Sequence, residues 1–347
     1  MNEFSSLKAA WHIDRIADLR AGKDIVPTHV QLILSDLCNQ DCHFCSYRME
    51  GGFSTANFPD EHGNKNPNRM IPAVKAIEIL EDCAALGVEA IEFTGGGEPT
   101  VHPMCYEIIE HAQKLGLQTG LVTNGIRLKD NAAVRNLTWM RISLDAGTEE
   151  TYERIRRSKA WKQAMAALKL GGELTHPYVG VGFVVTRENY KELYMACQLT
   201  KAAGIPYIRV SAMFSTGGAL YYAGIENEIE EQRRAAKTLQ DDSFKVVDFF
   251  GDRISDLKQQ APDYQFCGEQ QFVLYIGGDL KVYRCCTTSY SKHGEIGDLR
   301  NQRFSEWIKK YRRYDFDART CHTCQFNITN RNLNYLLDPA PAHVGFV

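Results

Sequence analysis

Three cysteines, Cys38, Cys42 and Cys45, stand at C-x3-C-x2-C spacing just after the apolar run 30–34. Thiolates this close, on a loop leaving a strand, can converge on one face of an iron–sulfur cube, and a [4Fe–4S] cluster normally takes four protein thiolates. Three leave one iron uncapped and open to a substrate or cofactor. Two other readings of the spacing stay open. A structural zinc site normally closes with four ligands and more often starts from a C-x2-C knuckle. Three unlinked buried thiols would act only as small apolar side chains.

Further segments follow in order over about residues 30–210: Phe93-Thr94-Gly95-Gly96-Gly97-Glu98-Pro99, Val122-Thr123-Asn124-Gly125, and Arg141-Ile142-Ser143-Leu144-Asp145-Ala146-Gly147. With the cysteine loop and its aromatic Phe44, they resemble the radical S-adenosylmethionine (radical SAM) superfamily: its signature loop, its glycine-glycine-glutamate motif and its fourth strand. The resemblance implies that the amine and carboxylate of S-adenosylmethionine chelate the fourth iron. It also implies reductive cleavage to a 5′-deoxyadenosyl radical, hydrogen abstraction from a substrate, and an electron donor such as flavodoxin or ferredoxin. The cofactor would supply that chemistry and the protein position, potential and exclusion of water.

By the same resemblance, Gly95, Gly96 and Gly97 let the backbone approach the methionyl amine, Glu98 orients it, and Phe44 lies near the adenine. A phosphate loop of G-x-G-x-x-G type fails here, because Thr100 stands where the last glycine would. Ser143 is a candidate for the ribose or methionyl moiety. Arg156 is either a partner for the cofactor carboxylate or a solvated helix arginine. Asn124 is a turn former in Asn-Gly with some cofactor contact. Val181 and Phe183 line an adenine pocket or pack in the core.

Positioning these residues falls to alternating elements. Strand-like runs at 30–34, 90–94, 119–122, 140–144, 179–185 and 207–210 are separated by apolar residues at helical spacing, such as Ile77, Leu80 and Ala84. Leu86-Gly87, Leu115-Gly116 and Ala203-Gly204 punctuate helix from strand. The pattern predicts an α/β chain with a parallel sheet under helices. Six repeats fall short of a closed eight-fold barrel, and the family implies a partial (βα)6 TIM-like barrel. The cysteine loop, the Gly95–Pro99 loop, Asn124 and Ser143 fall at C-terminal strand ends, where such sheets collect their chemistry. Residues 49–69 form a long irregular insertion, expected to act as a lid.

After about residue 215 the pattern changes. Cys267, Cys285, Cys321 and Cys324 form a second set, the first two separated by seventeen residues and the last two at C-x2-C spacing. The run 276–285 has the alternation and turn residues of a hairpin. The set resembles the twitch domain, the shortened SPASM extension, and implies one auxiliary [4Fe–4S] cluster acting as an electron relay. Here the sequence departs from the family: Leu280 occupies the usual turn-glycine position, and the Cys285-Cys286 doublet leaves the ligand ambiguous, Cys285 being preferred. A four-cysteine zinc site remains an alternative. The expected division is a lead-in over 1–28, a core over 29–215, and a small α+β auxiliary domain over 216–347.

A chain of 347 residues with a formal net charge of -3 gives no global reason to bind nucleic acid or an anionic membrane. No apolar run approaches the roughly 18 residues of a spanning helix, and Glu3, Asp14, Arg15, Asp18 and Arg20 do not suit a signal peptide. Eleven cysteines without export point to thiolate chemistry in a reducing compartment, so a cytoplasmic location is expected. The expected substrate is a peptide, a carbohydrate-like alcohol or a nucleotide-derived small molecule, fold analogy being unable to choose. Nucleic acid is a lesser alternative: Arg300, Arg303, Lys309, Lys310, Arg312 and Arg313 lie among Trp307, Tyr311 and Tyr314. A non-catalytic zinc-binding or iron–sulfur-binding module is the competing class.

Overall fold

A computed structural model describes residues 3–52, 57–176, 178–311 and 316–338. Its centre is a ten-stranded sheet: β1 (His29–Leu32), β2 (Ala90–Phe93), β3 (Gln118–Thr123), β4 (Trp139–Ser143), β5 (Tyr178–Val185), β6 (Tyr207–Ala212), β7 (Lys245–Asp248), β8 (Val273–Ile276), β9 (Lys281–Tyr283) and β10 (Glu295–Asp298). The spatial order is β10-β9-β8-β1-β2-β3-β4-β5-β6-β7, parallel from β8 through β7 and antiparallel at β9 and β10.

All six expected strands are present, with helices such as Ala73–Leu86, Cys105–Lys114, Trp161–Glu173 and Leu193–Ala202 between them. Gly87 ends the first of these helices at φ 85°, a left-handed turn that glycine takes without steric cost. The sheet also continues past residue 215. β7 extends it beyond β6, and β8 lies parallel to β1, pairing Val30 with Leu274. The C-terminal residues are thus stitched into the sheet that the first six strands begin.

The strands bury alternate residues. On β1, β2 and β4, Val30, Leu32, Ile91, Phe93, Met140 and Ile142 are buried in the main hydrophobic core. Their neighbours Gln31, Glu92, Arg141 and Ser143 point to the opposite face, as the period of two requires. A cavity on that opposite face is lined by Arg141, Ser143, Gly182, Arg209 and Ser211. Val181 and Phe183 are fully buried in the core, and at β5 the cavity wall runs over Gly182, Phe183 and Val184.

The insertion expected to be a lid is, in its described residues, a clamp under the cysteine loop. Phe58 is fully buried, Asn66 exchanges two hydrogen bonds with the Cys38 backbone at 2.9 and 3.0 Å, and Arg69 pairs with Asp36 at 2.7 Å. Buried aromatic surface and an ion pair hold this segment down. Residues 53–56 lie outside the described residues.

The candidate helix for nucleic acid, Phe304–Lys310, is also committed to packing. Trp307 is buried and stacks on Phe304 and Tyr311. Arg303 pairs with Asp82 and Arg300 with Asp298. Arg312, Arg313 and Tyr314 lie outside the described residues.

Candidate functional site

β1 delivers the chain to Cys38 at its C-terminal end, and the glycine loop follows β2 in the same way. Gly97 donates its N–H to Ser35 O at 3.0 Å and Glu98 to Leu37 O at 3.0 Å, so the two loops are hydrogen-bonded together. A Cβ on Gly97 would lie 2.2 Å from Leu37 O, and one on Gly96 would lie 2.6 Å from the Phe58 ring. The glycines are therefore required by the close approach of protein to protein, as well as leaving an open backbone toward the cavity.

Cys38, Cys42 and Cys45 all line one cavity of about 400 Å³, within the range of small-molecule sites. Gly95, Gly96, Gly97, Glu98, Asn124, Ser143, Arg156 and Phe44 line it too, so the structure brings together every expected cofactor-binding residue. Each thiol has its own N–H donor: Asn124 Nδ2 lies 3.9 Å from Cys38 Sγ, Arg156 Nη1 3.6 Å from Cys42 Sγ, and Arg48 Nη1 3.8 Å from Cys45 Sγ. Burial pushes the Cys38 thiol up to about 11, with Glu98 adding to it. Burial pushes Cys42 up to about 12 against the pull of Arg156. Such thiols keep their protons until a metal cation displaces them.

Arg156 is not a solvated helix arginine. It is buried, pairs with Asp145, donates to Gln40 Oε1 at 3.0 Å and lies 5.6 Å from the Phe44 ring centre. Its Nε is buried without a partner. Asp145, which the sequence reading passed over, sits at φ 58° at the end of β4 and accepts the Val184 N–H. Asn124 is the expected turn former, its Oδ1 accepting the Ile126 N–H at 3.1 Å, and its Nδ2 donates to Asn39 Oδ1 at 2.7 Å beside Cys38, on the cavity wall. Glu98 is spent inside the protein, accepting from Thr100, Thr123 and Asn124. These bonds fix the loop, and Glu98 also lines the cavity.

Arg48, Asp145, Arg141, Arg209 and Arg253 also line the cavity and were missed. A signal existed for two of them. Arg141-Ile142-Ser143 and Arg209-Val210-Ser211 repeat an Arg-apolar-Ser pattern that places Arg and Ser on one strand face.

A smaller cavity is lined by Cys267, Cys285, Cys321 and Cys324 together. Tyr264 Oη donates to Cys324 Sγ at 3.2 Å, and the Phe326 N–H does so at 3.3 Å. Burial pushes Cys321 up to about 12 and Cys324 up to about 11, the latter against the pull of Tyr264. Cys286 does not line this cavity: its side chain hydrogen-bonds that of Cys285, its Sγ accepts from Gln325 Nε2 at 2.8 Å, and it packs against a cluster of Tyr275, Tyr283 and Tyr290. Leu280, in the turn between β8 and β9, takes φ 63°, the left-handed conformation of the expected glycine. Among the described residues, no group of three or more His, Cys, Asp or Glu side chains is arranged to hold a single metal ion. No described helix is long and apolar enough to cross a membrane.

Residues 32–200 match the family model of the Radical SAM superfamily. An S-adenosylmethionine-dependent nucleotide dehydratase of Flammeovirga pacifica is 34% identical over 143 residues, covering 40% of this chain and 46% of that protein. A probable GTP 3′,8-cyclase of Saccharolobus islandicus (strain M.14.25 / Kamchatka #1) is 27% identical over 209 residues, covering 58% of this chain and 63% of that protein. The chain thus spans about half the length of the curated relatives it matches. Two solved structures share the fold. Streptococcus suis SuiB bound to precursor peptide SuiA has TM-score 0.63 at 12% identity, over 96% of this chain and 78% of SuiB. Native anSMEcpe with bound AdoMet has TM-score 0.58 at 14% identity, over 83% and 82%. Over residues 32–200, just under half of its length, the chain is thus similar to the Radical SAM superfamily, its relatives there are named as enzymes, and its α/β fold with a parallel-strand sheet is shared with the two solved structures.

Proposed function

We propose that this protein is a radical SAM oxidoreductase or isomerase acting on a nucleotide-type small molecule. Cys38, Cys42 and Cys45 would hold the [4Fe–4S] cluster, and the cavity beside them S-adenosylmethionine. The observation that carries this reading is the convergence of three thiols, each with an N–H donor, on one cavity edged by the Gly95–Gly97 loop. The donor set suits the group: soft thiol ligands, an open ligand space beside them, and N–H groups aimed at the sulfurs, a device that tunes cluster potential. When bound, the cluster and S-adenosylmethionine supply one-electron cleavage of the sulfonium and a 5′-deoxyadenosyl radical that takes a hydrogen atom from the substrate.

The chain's own part is positional. Glu98 ties the glycine loop to the end of β3, Arg156 holds the Cys42 side of the loop against Asp145, and Asn66 and Arg69 hold it from beneath. Phe44 and Ser143 would border the bound cofactor. Residues 29–215 are read as a partial (βα)6 core after a lead-in of 1–28. Residues 216–347 are read as a twitch/SPASM-like part, with Cys267, Cys285, Cys321 and Cys324 as ligands of one auxiliary [4Fe–4S] cluster. A cytoplasmic location and a flavodoxin or ferredoxin donor go with this reading. The nucleotide class is favoured over peptide or carbohydrate because the named relatives with sequence similarity are a nucleotide dehydratase and a GTP cyclase.

Anaerobic reconstitution with iron and sulfide tests the proposal. About eight irons per chain and release of 5′-deoxyadenosine under reduction are expected. The triple variant Cys38→Ala/Cys42→Ala/Cys45→Ala should lose that release. Stoichiometric zinc with no 5′-deoxyadenosine would favour a non-catalytic module, and persistent cleavage in the triple variant would refute the assigned site.

A further inference from the structure

The same cavity holds more positive charge than the cysteine end accounts for. Arg141 on β4 and Arg209 on β6 extend over its far side, flanking β5 where Gly182 leaves the room. A Cβ on Gly182 would already lie 3.4 Å from Arg141 Cδ. Arg253, from the helix Phe250–Gln259, joins them: its guanidinium lies 5.8 Å from the Phe249 ring centre and that of Arg209 lies 5.2 Å from the same ring. The charges of both Arg141 and Arg253 are felt at Arg209, so the three form one positive group.

Their counter-charges are few. Arg253 pairs with Asp256 at 3.1 Å and donates to Gln325 O. Among the described residues Arg141 and Arg209 make neither a hydrogen bond nor an ion pair, only ring contacts with Trp139 and Phe249. Glu92, the carboxylate whose field reaches Arg209, is taken up by His29 and Gln31. Burial, with Arg141 and Arg253 adding repulsion, pushes Arg209 down to about 9, so it remains a cation at neutral pH held against its preference. Clustered, half-buried guanidiniums facing a ligand-sized cavity, two of the three without a carboxylate partner, suit an anionic ligand, since such charge is costly to keep.

We infer that Arg141, Arg209 and Arg253 form an oxyanion subsite, opposite the cysteines, that takes the phosphate groups of the substrate. The inference rests on the nucleotide-type reading above and gives it a place: the phosphates would lie over β4–β6, leaving the rest of the molecule toward the cysteine end. Guanidinium forks match phosphate oxygens in pairs, which a lysine would not do. The apo protein carries the repulsion and the bound phosphate relieves it.

The test uses the anaerobically reconstituted protein with S-adenosylmethionine present, titrated with inorganic tripolyphosphate, CTP and GTP. Wild type is expected to bind tripolyphosphate in a salt-sensitive way, and at least one nucleotide more tightly. Arg141→Gln and Arg209→Gln should each weaken tripolyphosphate binding by about tenfold or more, with Arg209→Lys intermediate. Without ligand, Arg209→Gln should melt no lower than wild type, because it removes an unpaired buried charge; a structural arginine would show the opposite. Variants that bind tripolyphosphate like wild type overturn the inference, as does a wild type that binds none of the three probes. So does weaker S-adenosylmethionine binding in the variants with tripolyphosphate binding unchanged, which would assign the arginines to the cofactor. Wild-type release of 5′-deoxyadenosine, measured on the same preparation, reports separately on the proposed function.

Discussion

Glu98 Oε2 accepts the backbone N–H of Asn124 at 2.8 Å, joining the loop after β2 to the turn after β3 beside Cys38. The other oxygen accepts from Thr100 N, Thr100 Oγ1 and Thr123 Oγ1 at 3.1, 2.6 and 2.6 Å. A carboxylate with four donors cannot be replaced by an amide without setting an N–H against one of them. Glu98→Gln should therefore cost about 1–3 kcal/mol and weaken S-adenosylmethionine binding. Thermal unfolding and an equilibrium binding titration would show both.

Arg156 and Asp145 are a buried pair, and losing one partner strands the other. Arg156→Met should destabilise the protein by about 3–5 kcal/mol. The double variant Asp145→Asn/Arg156→Met should be less destabilised than the sum of the single changes, a coupling that a double-mutant cycle reads out.

Asp82, on the helix Ala73–Leu86, accepts from Arg303 Nη2 at 2.6 Å and from the Ser305 N–H at 3.0 Å, fastening the helix Phe304–Lys310 to the core. Burial alone would raise its carboxyl, but the Arg303 and Ser305 hydrogen bonds hold it below its usual value. A carboxylate depressed on folding contributes stability above its unfolded value, and that contribution is lost as pH falls through the folded value. Wild type should exceed Asp82→Asn by about 1–2 kcal/mol at pH 7. The gap should close below about pH 4. Unfolding curves of both proteins across that range decide it.

Leu280 pays for its left-handed backbone with its own Cβ. Leu280→Gly removes that strain and loses some half-buried packing, so stability should change by less than about 1 kcal/mol. Leu280→Val, β-branched and ill suited to positive φ, should destabilise by about 1–2 kcal/mol. Comparison of melting temperatures for the two variants separates backbone strain from packing.

Cys285 lines the smaller cavity with Cys267, Cys321 and Cys324, whereas Cys286 lies outside that lining and accepts from Gln325 Nε2. Alanine at any of the four should lower iron content from about eight to about four per chain. Cys286→Ala should leave it unchanged. Iron and sulfide analysis of the reconstituted variants checks this directly.

The elements legible without coordinates were those written in local spacing. The C-x3-C-x2-C run, the three glycines before Glu98, the six strand–helix repeats and the hairpin before Cys285 each depend on residues a few positions apart. What escaped depends on residues far apart in the chain. Arg48 reaches Cys45, but Asp36 answers to Arg69 and Tyr290, and Arg156 to Asp145 and Gln40. An arginine within an apolar strand carries no mark of whether it meets solvent, a carboxylate or an empty cavity. Arg141 and Arg209 acquire their meaning only when parallel pairing through β5 sets them on the same face. Likewise β8 belongs beside β1 because the long stretch of chain between His29 and Val273 folds back to complete that edge. Sequence alone determined which side chains were available and how each short segment would bend. Tertiary structure decided which charges were left unpaired, because pairing is a property of neighbours in space.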